Sequence, residues 1–229
     1  MQPLRPDIIL IDEHPLVQLD VYRNLVLMTR RHPDGSGWKT YPVSPEALQQ
    51  SLGKLPAATG LLSHGTLGSG FKNGQPFYVL LVAPRVVTLD IALGEIEKQF
   101  QIQTPPLVWA GWKNDYRIWA LQSADWPTRA NVPLWKAPFP NCYEDGGICW
   151  GSSDRPPVAA PATLMTAFDL FISGSRFNAH VANGKSVSKP ANVINVYGAL
   201  SPEIPYPVDD LMPAELHLSH ALAGSCWRG

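Results

Sequence analysis

Apolar residues fall along this chain in short runs and period-two alternations first, and in wider, helix-like spacings later. Ile8, Ile9, Leu10 and Ile11 form a run, and Val17, Leu19, Val21, Leu25 and Leu27 roughly alternate with other residues. Together they predict strands over 7–31. His32-Pro33-Asp34-Gly35-Ser36-Gly37 breaks the pattern with turn chemistry. A short helix is expected next, from the N-cap residue Ser44 through Pro45 and Glu46 to a stop at Gly53. Residues 57–75 hold Gly60, Gly65, Gly68, Gly70 and Gly74 without a following Gly-Lys-Ser/Thr, so they read as a flexible hairpin connection, not a phosphate loop. Phe77 to Val82 predicts a buried strand, and Val87, Leu89 and Ile91 alternate with Val86, Thr88 and Asp90 in another. Leu107-Val108-Trp109 and Tyr116 to Leu121 flank Lys113-Asn114-Asp115 as a β-hairpin.

Beyond residue 150 the spacing changes. After Pro161, Leu164, Phe168, Phe171 and Ile172 share one helix face, and Gly174 closes the segment. A second helix is expected from near Pro213, carrying Leu216 and His220 or Leu222, with Ser201 to Pro207 extended between the two. Helices are therefore expected to dominate the last third.

Composition narrows the function. Of 229 residues, 45% are hydrophobic, enough for a packed core, while only 16% are charged and the net charge is -1. No basic stripe invites nucleic acid. No apolar run is long enough for a membrane span. The leading residues, Met1 to Asp7, lack the basic-then-apolar pattern of a secretory signal. Three cysteines, Cys142, Cys149 and Cys226, make an odd, low count that argues against a disulfide framework and for a reducing, cytoplasmic setting. None is paired at CxxC spacing, and His217 and His220 lack a third ligand, so neither a metal nor a cofactor is expected.

The chemistry concentrates in Phe139-Pro140-Asn141-Cys142-Tyr143-Glu144-Asp145-Gly146-Gly147-Ile148-Cys149-Trp150. A Pro-Asn pair, an aromatic residue, an Asp-Gly turn and a β-branched residue lead to a cysteine eight positions after the asparagine. This order resembles the active-site segment of ubiquitin-conjugating enzymes, with Phe139 where those usually have His and Trp150 where they have Leu. Pro105-Pro106-Leu107-Val108-Trp109, Trp119-Ala120-Leu121, Arg129, Pro133 to Phe139 and Cys149-Trp150-Gly151-Ser152 extend the likeness to the prokaryotic conjugating-enzyme family D, also called PRTRC system protein B. It spans roughly residues 75–180.

The resemblance implies an α+β fold, a curved antiparallel sheet of about four strands packed on helices. Residues 1–60 are expected as a strand and helix extension packed on a conjugating-like domain at 61–229. It implies that Cys149 carries the C-terminus of a ubiquitin-like modifier as a thioester and passes it to an amine, while Asn141 donates to the oxyanion or braces the loop. The expected partners are a ThiF-like activating enzyme, the modifier itself and a JAB-type isopeptidase.

Tyr143, Asp154 and His180 are accessory candidates, Asp154 for orienting an incoming amine and His180 as a base for the sulfur. Cys142 fills an apolar position and is expected to be buried. Two other readings stay open: a catalytically inactive scaffold, suggested by Phe139 and Trp150, and a thiol hydrolase built on Cys149 and His180.

Overall fold

The computed structural model describes residues 17–22, 25–31, 37–44, 64–151, 155–174 and 177–227. The expected helix beyond Ser44, the run Ile8 to Ile11 and Asp154 lie outside these residues.

The chain divides into two compact units, Met1–Thr59 and Gly60–Gly229. The first holds β1 (Val17–Tyr22), β2 (Leu25–Arg31) and β3 (Trp38–Val43) in an antiparallel sheet of that order. The Thr29 and Thr40 hydroxyls face each other across β2 and β3 at 2.9 Å, a cross-strand polar pair of the kind that supports a ladder.

The second unit is α+β. Its main elements are β4 (Thr66–Lys72), β5 (Gln75–Val82), β6 (Val86–Leu93), β7 (Ile96–Gln103), β8 (Leu107–Trp112), β9 (Asp115–Ala120), β10 (Pro133–Lys136), β11 (Phe177–Asn178) and β12 (Pro213–His217). Six of these form one sheet in the order β12-β10-β9-β8-β5-β4, every neighbouring pair antiparallel. The sheet thus has six strands where about four were expected. Of the strands expected from the sequence it holds β5, β8 and β9 but not β6, and it adds β4, read from its glycines as a connection, and the two short strands β10 and β12. β6 pairs with β7 antiparallel and with β11 in parallel, making a second sheet.

The apolar runs follow from burial on both faces of the main sheet. Side chains alternate across a strand. Tyr78, Leu80, Leu107, Trp109, Tyr116 and Ile118 enter one cluster, and Phe77, Val79, Val108, Trp112, Trp119 and Leu121 enter the other. Each face has its own cover. The first meets Val87, Leu89 and Ile91 of β6 and α1 (Leu164–Asp169), which continues as a π-helical turn over Leu170–Gly174. Leu164, Phe168, Phe171 and Ile172 are all buried there, as their spacing predicts. The Trp109 indole donates to the Leu164 carbonyl at 3.0 Å.

The second face is covered by Leu218 and Ala221 of α3 (Leu218–Leu222) and by Trp227. Helices do not dominate the last third: α2 (Ile194–Tyr197) and α3 are short, and the helix expected from Pro213 is instead β12 followed by α3. The pairing of β12 with β10 outweighs the helical spacing of Leu216 and His220. Ser201 to Pro207 is turn and irregular backbone. Among the described residues, no helix is long and apolar enough to cross a membrane.

Candidate functional site

The segment 139–150 lies on the rim of the six-stranded sheet, where β10 ends and β9 still has an open edge. On β9, β10 pairs with Trp119 and Ala120 at the far end of the strand. The near end is taken by the segment itself: Arg117 bridges Gly147, Ile118 N–H donates to the Gly146 carbonyl at 2.9 Å, and Ile148 N–H donates to the Tyr116 carbonyl at 3.2 Å.

Within the segment, Cys142 bridges Ile148, Tyr143 N–H donates to Gly147, and Cys149 N–H donates to the Asn141 carbonyl at 2.8 Å. This is a small hairpin, and its register sorts the side chains. Cys142 and Ile148 face the core with Trp150, whereas Tyr143 and Cys149 face the other way, beside an Asn141 that is itself buried. The Asp-Gly turn brings Cys149 back beside Asn141.

The tip demands glycine at one position. Gly146 has φ +84°, and a Cβ there would stand 2.6 Å from Cε2 of the fully buried Trp119. Asn141 also lies in the left-handed region, at φ 59°, a conformation that asparagine tolerates better than most residues.

A second segment grips the other arm. Asn141 N–H donates to the His180 carbonyl at 2.8 Å, and the Asn141 carboxamide oxygen accepts from Asn178 N–H at 3.5 Å. The buried Lys185 ammonium donates to the Cys142 carbonyl at 2.6 Å, and burial lowers its pKa. The Tyr197 hydroxyl holds the Pro138 carbonyl at 2.6 Å. Phe139 packs edge-on to Phe171 and stacks with Phe177, so an aromatic core contact stands where a histidine was missing. Trp150 turns inward against Tyr116 and Phe171. It anchors the residue after Cys149 instead of crowding the sulfur.

The three free cysteines differ in setting. Cys149 is partly exposed; Cys142 is buried, as expected. Tyr143 is exposed, and its pKa is raised chiefly by its interaction with the neighbouring Cys149. The His180 ring, also exposed, meets Tyr143 edge-on at 6.0 Å. Asn141, Tyr143, Cys149 and His180 are thus neighbours.

The sequence reading missed Arg117, although a lone charge in the apolar strand Tyr116 to Leu121 was the available signal. Arg117 is buried, 2.8 Å from Asp145 and 3.7 Å from Asp115. Burial raises the Asp115 pKa, partly offset by Arg117. A cleft of about 500 Å³ opens beside these groups, lined by Asp115, Arg117, Tyr143, Glu144, Asp145, Gly147 and Ile148.

Burial also pushes the Cys142 thiol from its ordinary 9.0 up to about 12, and the Tyr116 phenol from 10.0 up to about 12. Both folded values lie above the unfolded ones. The stability they contribute is whole below pH 9.0 and is lost as pH climbs toward 12. Each group adds about 1.4 kcal/mol per pH unit to the fall within its window. Thermal unfolding across that range is expected to show a falling Tm, with a shallower slope in Cys142→Ala just above pH 9.0. An unchanged slope in the variant would count against a buried, neutral thiol.

The model of one protein family, described as Prokaryotic E2 family D, matches residues 51–214. No curated protein and no solved structure matches the chain.

Proposed function

Because the chain belongs to prokaryotic E2 family D, we propose that it is a conjugating enzyme of a ubiquitin-like pathway that uses Cys149 as its acyl carrier. The supporting observation is the hairpin that sets the partly exposed Cys149 beside the buried Asn141, with the Cys149 amide on the Asn141 carbonyl at 2.8 Å. The Cys149 thiolate attacks the thioester carbonyl of a modifier held by a ThiF-like activating enzyme, and the activating enzyme's sulfur leaves as a thiolate. An amine then attacks the new thioester. The C–N bond forms, the C–S bond breaks, Cys149 departs as thiolate, and the amine's proton passes to solvent. Asn141, its carboxamide oxygen already engaged by Asn178, keeps its NH2 group for the oxyanion.

Tyr143, beside Cys149, is assigned to the same site. So is His180, as a rim residue; the ring contact it makes is with Tyr143. That contact favours acyl transfer over a Cys–His hydrolase, in which the imidazole would engage the sulfur itself. The partial exposure of Cys149 weighs against a scaffold with a sealed thiol. A JAB-type isopeptidase would act downstream, on the conjugate.

The test mixes the chain with its cognate activating enzyme, modifier and ATP and resolves the products on a non-reducing gel. A band of combined mass is expected that thiol dissolves and that peptide mapping places on Cys149. No such band, or one mapped to Cys142 or Cys226, would defeat the reading.

A further inference from the structure

Arg117 is out of place by the ordinary rules of a core. It lies on β9 between the fully buried Tyr116 and Ile118, and its own residue is 6% exposed. By strand alternation it shares a face with Trp119 and Leu121, both of the second apolar cluster. A guanidinium taken out of water is unfavourable, and an apolar residue of similar volume often serves stability as well or better.

Besides Asp115 on its own strand, at 3.7 Å, it engages one residue of the motif hairpin. Nη1 lies 2.8 Å from the Asp145 carboxylate and donates to the Asp145 backbone carbonyl at 3.1 Å. The other carboxylate oxygen of Asp145 accepts Gly147 N–H at 3.0 Å. One carboxylate therefore ties the buried guanidinium to the backbone of the tip. The tie shapes the wall of the cleft that Tyr143 also lines, in the hairpin that carries Cys149. The sulfur is held separately, by the Asn141–Cys149 hydrogen bond and the inward anchor of Trp150.

We propose that Arg117 and Asp145 are positioning residues for the transfer of the acyl group to the amine, and not for the loading of Cys149. This rests on the acyl-carrier reading. Loading needs a reachable sulfur, whereas transfer needs an amine held at the carbonyl with its surroundings aligned, and misplacement by about 1 Å can slow such a step by up to roughly a hundredfold. A pair serving stability alone could be exchanged for neutral residues without touching either step.

The experiment uses the full chain acylated on Cys149 with an acetyl-Gly-Gly thioester, the chemistry of a modifier's C-terminus, then chased with free lysine over a range of concentrations. The variants are Asp145→Asn, Arg117→Lys and the doubly neutral Arg117→Met/Asp145→Asn. The double variant is expected to keep its melting temperature and to load within about twofold of the parent chain, but to discharge to lysine at least about tenfold more slowly. Arg117→Lys, which keeps charge but loses the forked geometry, is expected to fall between. Discharge within twofold of the parent chain in a folded, loaded double variant would overturn the proposal. Should the double variant not fold, equal discharge in Asp145→Asn and the parent chain would overturn it. A parent chain that does not acylate Cys149 would instead sink the acyl-carrier reading.

Discussion

Cys149→Ser is expected to remove the thiol-sensitive adduct completely while leaving the fold intact. The side chain stands on the outer face of the hairpin and is only partly buried, so exchanging sulfur for oxygen empties no core volume. The chemistry changes far more. A thiolate is the nucleophile in acyl exchange, and a serine hydroxyl is barely ionised near neutral pH. Any adduct that forms on serine is an oxyester, which survives thiol treatment, and Cys149→Ala should form none. Gels run with and without reductant, alongside thermal unfolding, check both halves. A thiol-labile band of undiminished intensity in Cys149→Ser would place the acyl group elsewhere.

The second large effect is on stability. Gly146→Ala is expected to destabilise the chain by about 3 kcal/mol, combining left-handed backbone strain of about 1–2 kcal/mol with overpacking of about 1–3 kcal/mol. The added Cβ would meet Trp119 at 2.6 Å and the Ile118 carbonyl at 3.0 Å. Neither can withdraw: Trp119 is fully buried and Ile118 lies within the sheet. In a chain of this size that corresponds to roughly a 6–12 °C fall in Tm. Gly94→Ala is the internal control, with φ +66° and nothing within 4 Å of its added Cβ; it carries the backbone strain without the collision. Equal melting temperatures for the two variants would mean that the tip does not rest on Trp119.

The parts of the fold that were legible in the sequence are those where burial writes directly into residue type. β5, β8 and β9 are apolar on both faces, so their runs stand out, and the turn at Lys113 and Asn114 is marked by polar residues. Leu164, Phe168, Phe171 and Ile172 announced their buried face by spacing alone.

The missed strands are those whose residues answer to distant neighbours. β4 carries Gly68 and Gly70 because Leu222 and Phe77 lie against its backbone, within 2.7 Å of where side chains would begin. Nothing local reveals that. β10 and β12 are short and pair through an irregular register, which leaves no alternation to read.

At the site, the spacing of Asn141, the Asp145-Gly146 turn and Cys149 foretold the hairpin, because a tight turn brings its flanks together. The bond from Asn178, the buried Lys185 and the Arg117–Asp145 contact join residues far apart in the chain. A linear reading has no means of pairing them.

The register of the small hairpin makes segment length a stricter requirement than residue identity. Cys142 and Cys149 face opposite ways because they occupy positions of opposite parity in one ladder. Letters can change at the rim, as Phe139 and Trp150 do, and the sulfur still points outward. Dropping a single residue between Tyr143 and Gly147 would set the two cysteines opposite each other on one face, so that with Cys142 still held inward Cys149 would turn inward beside it without either cysteine being altered.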